Sequence, residues 1–273
     1  MQTIDVPQVG ARTPLTGAVN GRLWGARAAD WSALQEARVA PAYHAAFERA
    51  GVAAGTELLD VGCGAGLAAM LAAARGSNVT GIDAAEAMLE IARSRVPAAE
   101  FYVGDIQQLP FADSRFDLVT GFNAFQYAAD PACALGEARR VTRPGGHVIV
   151  MTWGRPEGME AARLVAALRP LLPPAPPDSP GPFALSDETT LRAFALQGGL
   201  HVEAVFDTDA PWEYPDLVTA LRALKSSGAA ARAIEHSGEA AVDEAHANVL
   251  AAFRRHDGSY RINATFRCLL ARR

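Results

Sequence analysis

The chain is poor in cysteine. It has three in 273 residues, Cys63, Cys133 and Cys268, with no CxxC pair and no Cys/His spacing of the kind that holds zinc. An odd, scattered set of thiols gives no disulfide framework and fits a reducing compartment, so the expected location is cytoplasmic. Positive charge is also short: 25 Lys and Arg stand against 30 Asp and Glu, a formal net charge of −5. A chain with that balance has no electrostatic footprint for polyphosphates, and neither nucleic acid nor an anionic membrane is an expected partner. Long hydrophobic runs are missing too. The longest, 65–74, is far short of a membrane span, and residues 1–14 carry Asp5, Pro7 and Gly10 where a signal peptide needs an unbroken apolar stretch. No internal repeat is evident, and oligomeric state leaves no mark in the sequence.

What is present is half apolar (50%) and 20% charged, enough to close a sizeable core. The length suits one large domain, or one domain with an insertion. Between 57 and 153, short β-branched or apolar runs alternate with Ala-rich helical stretches, the pattern of a parallel sheet covered on both faces. Strands are expected at 57–61, 78–82, 100–103, 118–121 and 147–152, and helices at 67–75, 87–95 and 132–141. Upstream, 31–50 reads as one or two helices with Asp30 or Ser32 as N-cap. Downstream, a helix over 159–172 runs into the proline-rich stretch 170–182, read as a structured surface loop. A helix at 187–196 ended by Gly199, a strand at 201–208, two or three helices within 215–255 and a last strand at 260–270 complete the pass. The helical residues are too many for a hairpin connection. The organisation expected is an N-terminal helical segment (1–56), an α/β core (57–214 and 259–273) and a helical lid insertion (215–258) over one end of the sheet.

The strongest chemical signal is Leu58-Leu59-Asp60-Val61-Gly62-Cys63-Gly64-Ala65-Gly66, a hydrophobic strand entering a glycine-rich turn and then a helix. Glycine is needed where the backbone turns sharply and where a ligand lies against the main chain. Asp83 closes the next strand, where a carboxylate accepts both ribose hydroxyls of an adenosine or, alternatively, caps the helix that follows. These features fit a nicotinamide oxidoreductase as well as other adenosine cofactors, although Leu67 stands where a dehydrogenase loop has its last glycine or alanine. Gly104-Asp105-Ile106 at the third strand's end adds an adenine-edge reader: a side chain for an exocyclic amine and a backbone N–H for a ring nitrogen. Phe116-Asp117-Leu118-Val119 leads into Asn123-Ala124-Phe125-Gln126, and Arg143-Pro144-Gly145-Gly146 is expected to make a tight turn before the fifth strand.

In these five ordered blocks, LLDVGCGAG, GID, GDIQQLPF, FDLVTGFNAFQY and RPGGHVIVMTW, the sequence resembles the small-molecule branch of the class I S-adenosylmethionine-dependent methyltransferases over about 57–153. The resemblance implies a Rossmann-like seven-stranded sheet with helices on both faces, its seventh strand antiparallel and lying between the fifth and sixth. It implies S-adenosyl-L-methionine as cofactor, with the methionine part against Gly62, Cys63 and Gly64 and Asp60 near that end. Asp83 would take the ribose hydroxyls, and Asp105 with Ile106 the adenine. Ala84 and Met88 would wall the adenosine, and Asn123 would offer a backbone carbonyl to the ammonium. Asp60 is an acceptable neighbour for an ammonium and a sulfonium, whereas it would repel a pyrophosphate.

Methyl transfer from a sulfonium needs a nucleophile held in line behind the methyl and shielded from water, with a base as an option. Of six histidines, His44 and His236 are the weak candidates for that base. His147 reads as structural, and His201, His246 and His256 as surface or strand-edge residues. Trp31, Gln126 and Trp153 are candidate walls of the acceptor pocket, with Trp24, Tyr43, Trp212 and Tyr214 as further aromatics near its mouth. The fourth strand lacks the Pro-Pro-aromatic clamp of base methyltransferases, so a flipped nucleic-acid base is not expected. Asp117 and Asp130 are not arranged as a magnesium site, and no metal is expected. The partner expected is a small organic acceptor, with the O, N or C atom left open. A non-catalytic or repurposed S-adenosylmethionine binder remains an alternative.

Overall fold

The computed structural model describes residues 15–174 and 181–273. The expectations for 1–14 and for part of the proline-rich loop therefore lie outside the described residues. Helix α1 (Gly17–Gly25) opens the chain, followed by α2 (Ala28–Asp30), a π turn (Trp31–Gln35), a 3-10 turn (Glu36–Val39) and α3 (Ala40–Arg49). Neither Asp30 nor Ser32 caps a helix. Asp30 accepts from Arg222 Nη2 at 2.5 Å and Ser32 Oγ from Arg95 Nη2 at 2.7 Å. The helical path is broken into pieces because Pro41, in the first turn of α3, has no N–H to donate and would clash with a continuous helix before it.

The core then alternates as its hydrophobic runs demand: β1 (Glu57–Val61), α4 (Leu67–Ala73), β2 (Asn78–Asp83), α5 (Glu86–Arg95), β3 (Glu100–Val103), β4 (Phe116–Phe122), α6 (Pro131–Val141) and β5 (Thr142–Trp153). Helices α7 (Glu160–Ala167) and α8 (Glu188–Gln197) lead to β6 (His201–Asp209) and the short β7 (Trp212–Tyr214). Next come α9 (Leu217–Lys225), α10 (Gly228–Ser237) and α11 (Glu239–Leu250), and finally β8 (Tyr260–Ile262) and β9 (Thr265–Arg272). The single strand expected at 260–270 is two strands. Tyr260–Ile262 pairs with Trp212–Tyr214 as a separate ribbon at the base of the three helices, and only β9 joins the main sheet.

That sheet has seven strands in the order β3-β2-β1-β4-β5-β9-β6, parallel from β3 to β5, with β9 antiparallel to both its neighbours. The period of two sends alternate side chains to two cores. Leu58, Leu118, Ile149, Met151 and Leu270 face one of them, and Leu59, Val61, Val119, Val148, Val150 and Leu269 the other. The Pro-Gly-Gly turn expected before the fifth strand is instead a bulge inside it. Phe116 pairs with Thr142, and the register then skips to Leu118 with His147, accommodated by Gly145 at φ 79°. Among the described residues no helix is long and apolar enough to cross a membrane.

Asp60 is the one acid buried in the middle of this sheet, 2% exposed, and Thr120 Oγ1 on β4 donates to its Oδ1 at 2.7 Å. Burial pushes its pKa from 3.8 to about 7, against the lowering by Thr120, and the carboxylates of Asp83 and Glu36 push it the same way as burial.

Two outcomes follow for stability. Leu59→Ala, fully buried on the core opposite α4, is expected to cost about 2–5 kcal/mol in denaturant unfolding. The other concerns pH: a carboxyl whose native pKa exceeds its unfolded one stabilises fully below the unfolded value, and that contribution is lost as pH rises through the native value. For Asp60 the window runs from 3.8 to about 7. Asp60→Asn is therefore expected to melt close to wild type near pH ~4 and several degrees above it near pH ~8, and an offset that did not change with pH would contradict this assignment.

Candidate active site

The carboxyl ends of β1 to β4 converge on one cleft. This is where an open parallel sheet holds its ligands. The glycine loop after β1 forms its floor. Gly62 and Cys63 donate their N–H groups to the Ile82 carbonyl at 2.8 and 3.1 Å, which pins the loop against β2. Gly62 (φ 70°) and Gly66 (φ 80°) have no room for a side chain: a Cβ would sit 2.7 Å from the Ala124 Cβ in the first case and 2.8 Å from the Ala92 Cβ in the second.

Of the residues expected around the cofactor's adenosine and methionine parts, Gly62, Cys63, Gly64, Asp83, Ala84, Met88, Asp105, Ile106 and Asn123 line this first chamber. Asp83 braces the loop, accepting from Gly64 N and from Ala85 N, both at 2.8 Å. It does not cap α5, whose N-cap is Ala85 without a side-chain bond. Burial raises its pKa against those N–H groups. Asp105 accepts from Gln107 N at 2.9 Å and from Gly17 N, the first residue of α1, at 2.6 Å. Asn20 of α1 donates to the Tyr127 carbonyl at 3.0 Å, so the N-terminal helix is fastened along one rim of the cavity. Asn123 sits just past β4 at φ 52° with its N–H on the Met151 carbonyl at 2.9 Å.

Several expectations fail. Asp60 lies beneath the loop and lines no chamber. A third acid joins Asp83 and Asp105 on the wall, Glu36, which sequence reasoning missed. It accepts from Leu67 N at the start of α4 at 3.2 Å and from Arg95 Nη1 at 2.6 Å, and Arg95 also donates to the Ala65 carbonyl. Burial raises the Glu36 pKa, while Arg95 and the Leu67 N–H pull it down. A signal for it existed: Glu36 shares the i, i+3, i+7 stripe of the buried Val39 and Tyr43, an acid on an apolar face.

A second cavity opens beyond the first and shares Trp24, Trp31, Val39, Asn123 and Tyr127 with it. All four tryptophans of the chain line it. Trp24 meets Trp31 edge-on at 5.1 Å, and Trp153 stands edge-on to Trp212 at 5.8 Å and stacks on Phe266 at 5.1 Å. Trp31 and Trp153 are thus wall residues as expected, but Gln126 is not. It lies behind Asn123, donating to its Oδ1 at 3.0 Å.

Neither candidate base reaches either chamber. His44 is exposed beside Arg75 Nη2 at 3.0 Å, on the outward face of α3, and His236 is exposed beside Ser237 at the end of α10. The histidine that does face the second chamber is His246, read from sequence as a surface residue and in fact 2% exposed on α11. Its acid-rich flanks hid it, because its apolar neighbours come from α7 and α9. No cluster of three or more potential metal ligands occurs among the described residues.

Residues 59–150 match the family model described as a methyltransferase domain. The chain is 36% identical over 175 residues to a malonyl-[acyl-carrier protein] O-methyltransferase of Erwinia billingiae, covering 64% of this chain and 65% of that one. It is 42% identical over 106 residues to a ubiquinone biosynthesis O-methyltransferase of Alkalilimnicola ehrlichii, covering 37% and 43%. It thus spans less than two thirds of the length of these curated relatives. Among solved structures, the [4+2]-cyclase SpnF superposes with a TM-score of 0.56 at 19% identity over 85% of this chain and 79% of that one, a likeness of fold alone. Residues 59–150 thus carry a methyltransferase domain, set in a sheet whose last strand slots antiparallel between the fifth and sixth.

Proposed function

We propose that this chain transfers the methyl group of S-adenosylmethionine to a small organic acceptor by in-line displacement. The observation that carries the reading is the Glu36 carboxylate at the N-terminus of α4. In a dinucleotide-binding fold that helix end is the pyrophosphate site. Here an anion of the protein already stands there, and the first chamber adds Asp83 and Asp105 to its wall with no Lys, Arg or His. Such a cavity repels a diphosphate and suits an ammonium and a sulfonium, which argues against a nicotinamide cofactor.

The residues present fit the methyl donor. Asp83 has lone pairs beyond those on Gly64 and Ala85 for the ribose hydroxyls, and Asp105 with the Ile106 N–H would read the adenine edge. Ala84 and Met88 would wall the nucleoside, with the Gly62–Gly64 loop, Glu36 and the Asn123 carbonyl around the methionine end. When bound, the cofactor supplies an electrophilic methyl on a positively charged sulfur. The chain's own part is to hold the two ligands end to end across the wall formed by Trp31, Asn123 and Tyr127 and to exclude water with aromatic rings, the geometry an in-line transfer requires. The insertion over 215–258 would act as the lid. Its α9 packs on the Trp31–Gln35 turn, closing the second chamber from outside. The acceptor is taken to be a small molecule, with neither nucleic acid nor membrane as partner. Three unpaired thiols support a reducing cytoplasm as the place of work.

Calorimetry tests the cofactor. S-adenosylhomocysteine is expected to bind and NADH not, and the reverse would end the proposal. Asp83→Ala is expected to weaken S-adenosylhomocysteine by roughly tenfold to a hundredfold. Glu36→Gln should weaken S-adenosylmethionine several-fold while leaving free adenosine nearly unchanged, because Glu36 faces the amino-acid end. Radiolabelled methyl transfer into candidate acceptors would separate an enzyme from a repurposed cofactor binder.

A further inference from the structure

The second chamber is built to two specifications that its sequence neighbours do not announce. Its wall is aromatic and carries no Asp, Glu, Lys or Arg. A carboxylate or phosphate placed there would be a buried charge without a protein partner. Its polar groups are also unevenly satisfied. Gln35 accepts from the Tyr214 hydroxyl at 2.6 Å, and Ser227 has Leu224 and Ala230 as partners. Two groups on the wall are left over: the Nδ1 of His246 and the indole Nε1 of Trp212, both buried without a hydrogen-bond partner. Buried polar groups are nearly always partnered, so two orphans on side chains that line one cavity point to a ligand that completes the bonding.

The chemistry of the two orphans says what the ligand must bring. His246 is buried, and burial lowers its pKa to about 4, so the ring is neutral at ordinary pH. The charged groups near it on α9 and α11 are engaged with each other: Lys225 donates to Glu239 at 2.6 Å and to Asp243 at 2.9 Å. A neutral imidazole has one donor and one acceptor. The Leu164 carbonyl of α7 lies beside the ring and, as an acceptor, can take only its N–H, so the other ring nitrogen keeps its lone pair. Trp212 Nε1 can only donate. A hydroxyl, which both donates and accepts, suits such a wall, whereas an ether cannot donate and a carboxylate cannot donate either when ionised.

We propose that the acceptor is an uncharged aromatic or polycyclic molecule bearing a hydroxyl, and that this hydroxyl donates its hydrogen bond to His246 in the tryptophan-lined chamber. The inference rests on the methyltransferase reading for calling the ligand an acceptor, but the binding preference belongs to the chamber itself. His246 is here a binding residue that selects the acceptor.

The test uses three probes of one ring size, 2-naphthol, 2-methoxynaphthalene and 2-naphthoate, in equilibrium dialysis against the full chain with and without S-adenosylhomocysteine. 2-Naphthol is expected to bind at least about tenfold more tightly than either of the others. In His246→Phe, which keeps a ring but has no acceptor, the margin of naphthol over its ether should disappear. In His246→Asn, whose amide oxygen can stand in for the ring nitrogen, part of it should return. Naphthoate binding as tightly as naphthol, or a margin that survives in a folded His246→Phe chain, overturns the proposal. Should that variant fail to fold, the wild-type ranking of the three probes decides by itself. The two readings fail separately. Loss of S-adenosylhomocysteine binding in calorimetry would remove the methyltransferase reading and leave the naphthol ranking to be judged, while a wrong ranking beside normal S-adenosylhomocysteine binding would remove only this inference.

Discussion

A carboxylate at the N-terminus of one helix organises this molecule. Glu36 comes from the broken helical segment before the core, yet its oxygens receive the first N–H of α4 and the guanidinium of Arg95 on α5. Arg95 reaches on to the Ala65 carbonyl of the glycine loop and to Ser32. A buried ion pair of this kind offers little net stability over an apolar substitute, but removing one partner leaves an uncompensated charge. Its consequence is positional. It fastens the N-terminal segment across the mouth of the sheet and fills with protein charge the one place where the loop could have held a phosphate.

From that fastening the two-chamber layout follows. The π turn before Glu36 presents Trp31 to both cavities, and the 3-10 turn that Glu36 opens presents Val39. Helix α1 is held by Asp105 and the Tyr127 carbonyl, and its Trp24 completes the shared wall. The outer cavity is then closed by α7, α9 and α11, which contribute Leu164, Leu224 and His246. The core sheet supplies the polar chamber; segments outside it supply most of the aromatic one. The polar chamber is thus built from the fold's shared part, and the aromatic one largely from the helices added to it.

The sheet was largely legible because its signals are local. The runs 57–61 and 100–103 are strands to the residue, and 188–197 begins one residue after its Asp187 cap, which accepts from Thr190 N. The residues of the first chamber were legible for the same reason: Gly62, Gly64, Asp83, Asp105 and Asn123 each sit at a strand end that the hydrophobic period already marked. Misplacement came where a residue's surroundings are assembled from distant segments. Asp60 read as a wall residue because it precedes the glycines, but its side chain points to Thr120 inside the sheet. Gln126 read as a wall residue from its position after β4, and stands one layer behind.

The amino-acid sequence by itself determined the alternation of strands and helices, the glycine loop and the acids at the strand ends, because hydrophobic period and backbone sterics act over a few residues. Tertiary structure alone decided which histidine is buried, which acid meets the helix end and which tryptophans share a wall. Each of those depends on bringing residues such as Trp31, Trp153, Trp212 and His246 to one cavity from four separate segments. No local interaction encodes that distance, and it emerges only when the apolar faces of the sheet, the N-terminal segment and the inserted helices are buried against one another.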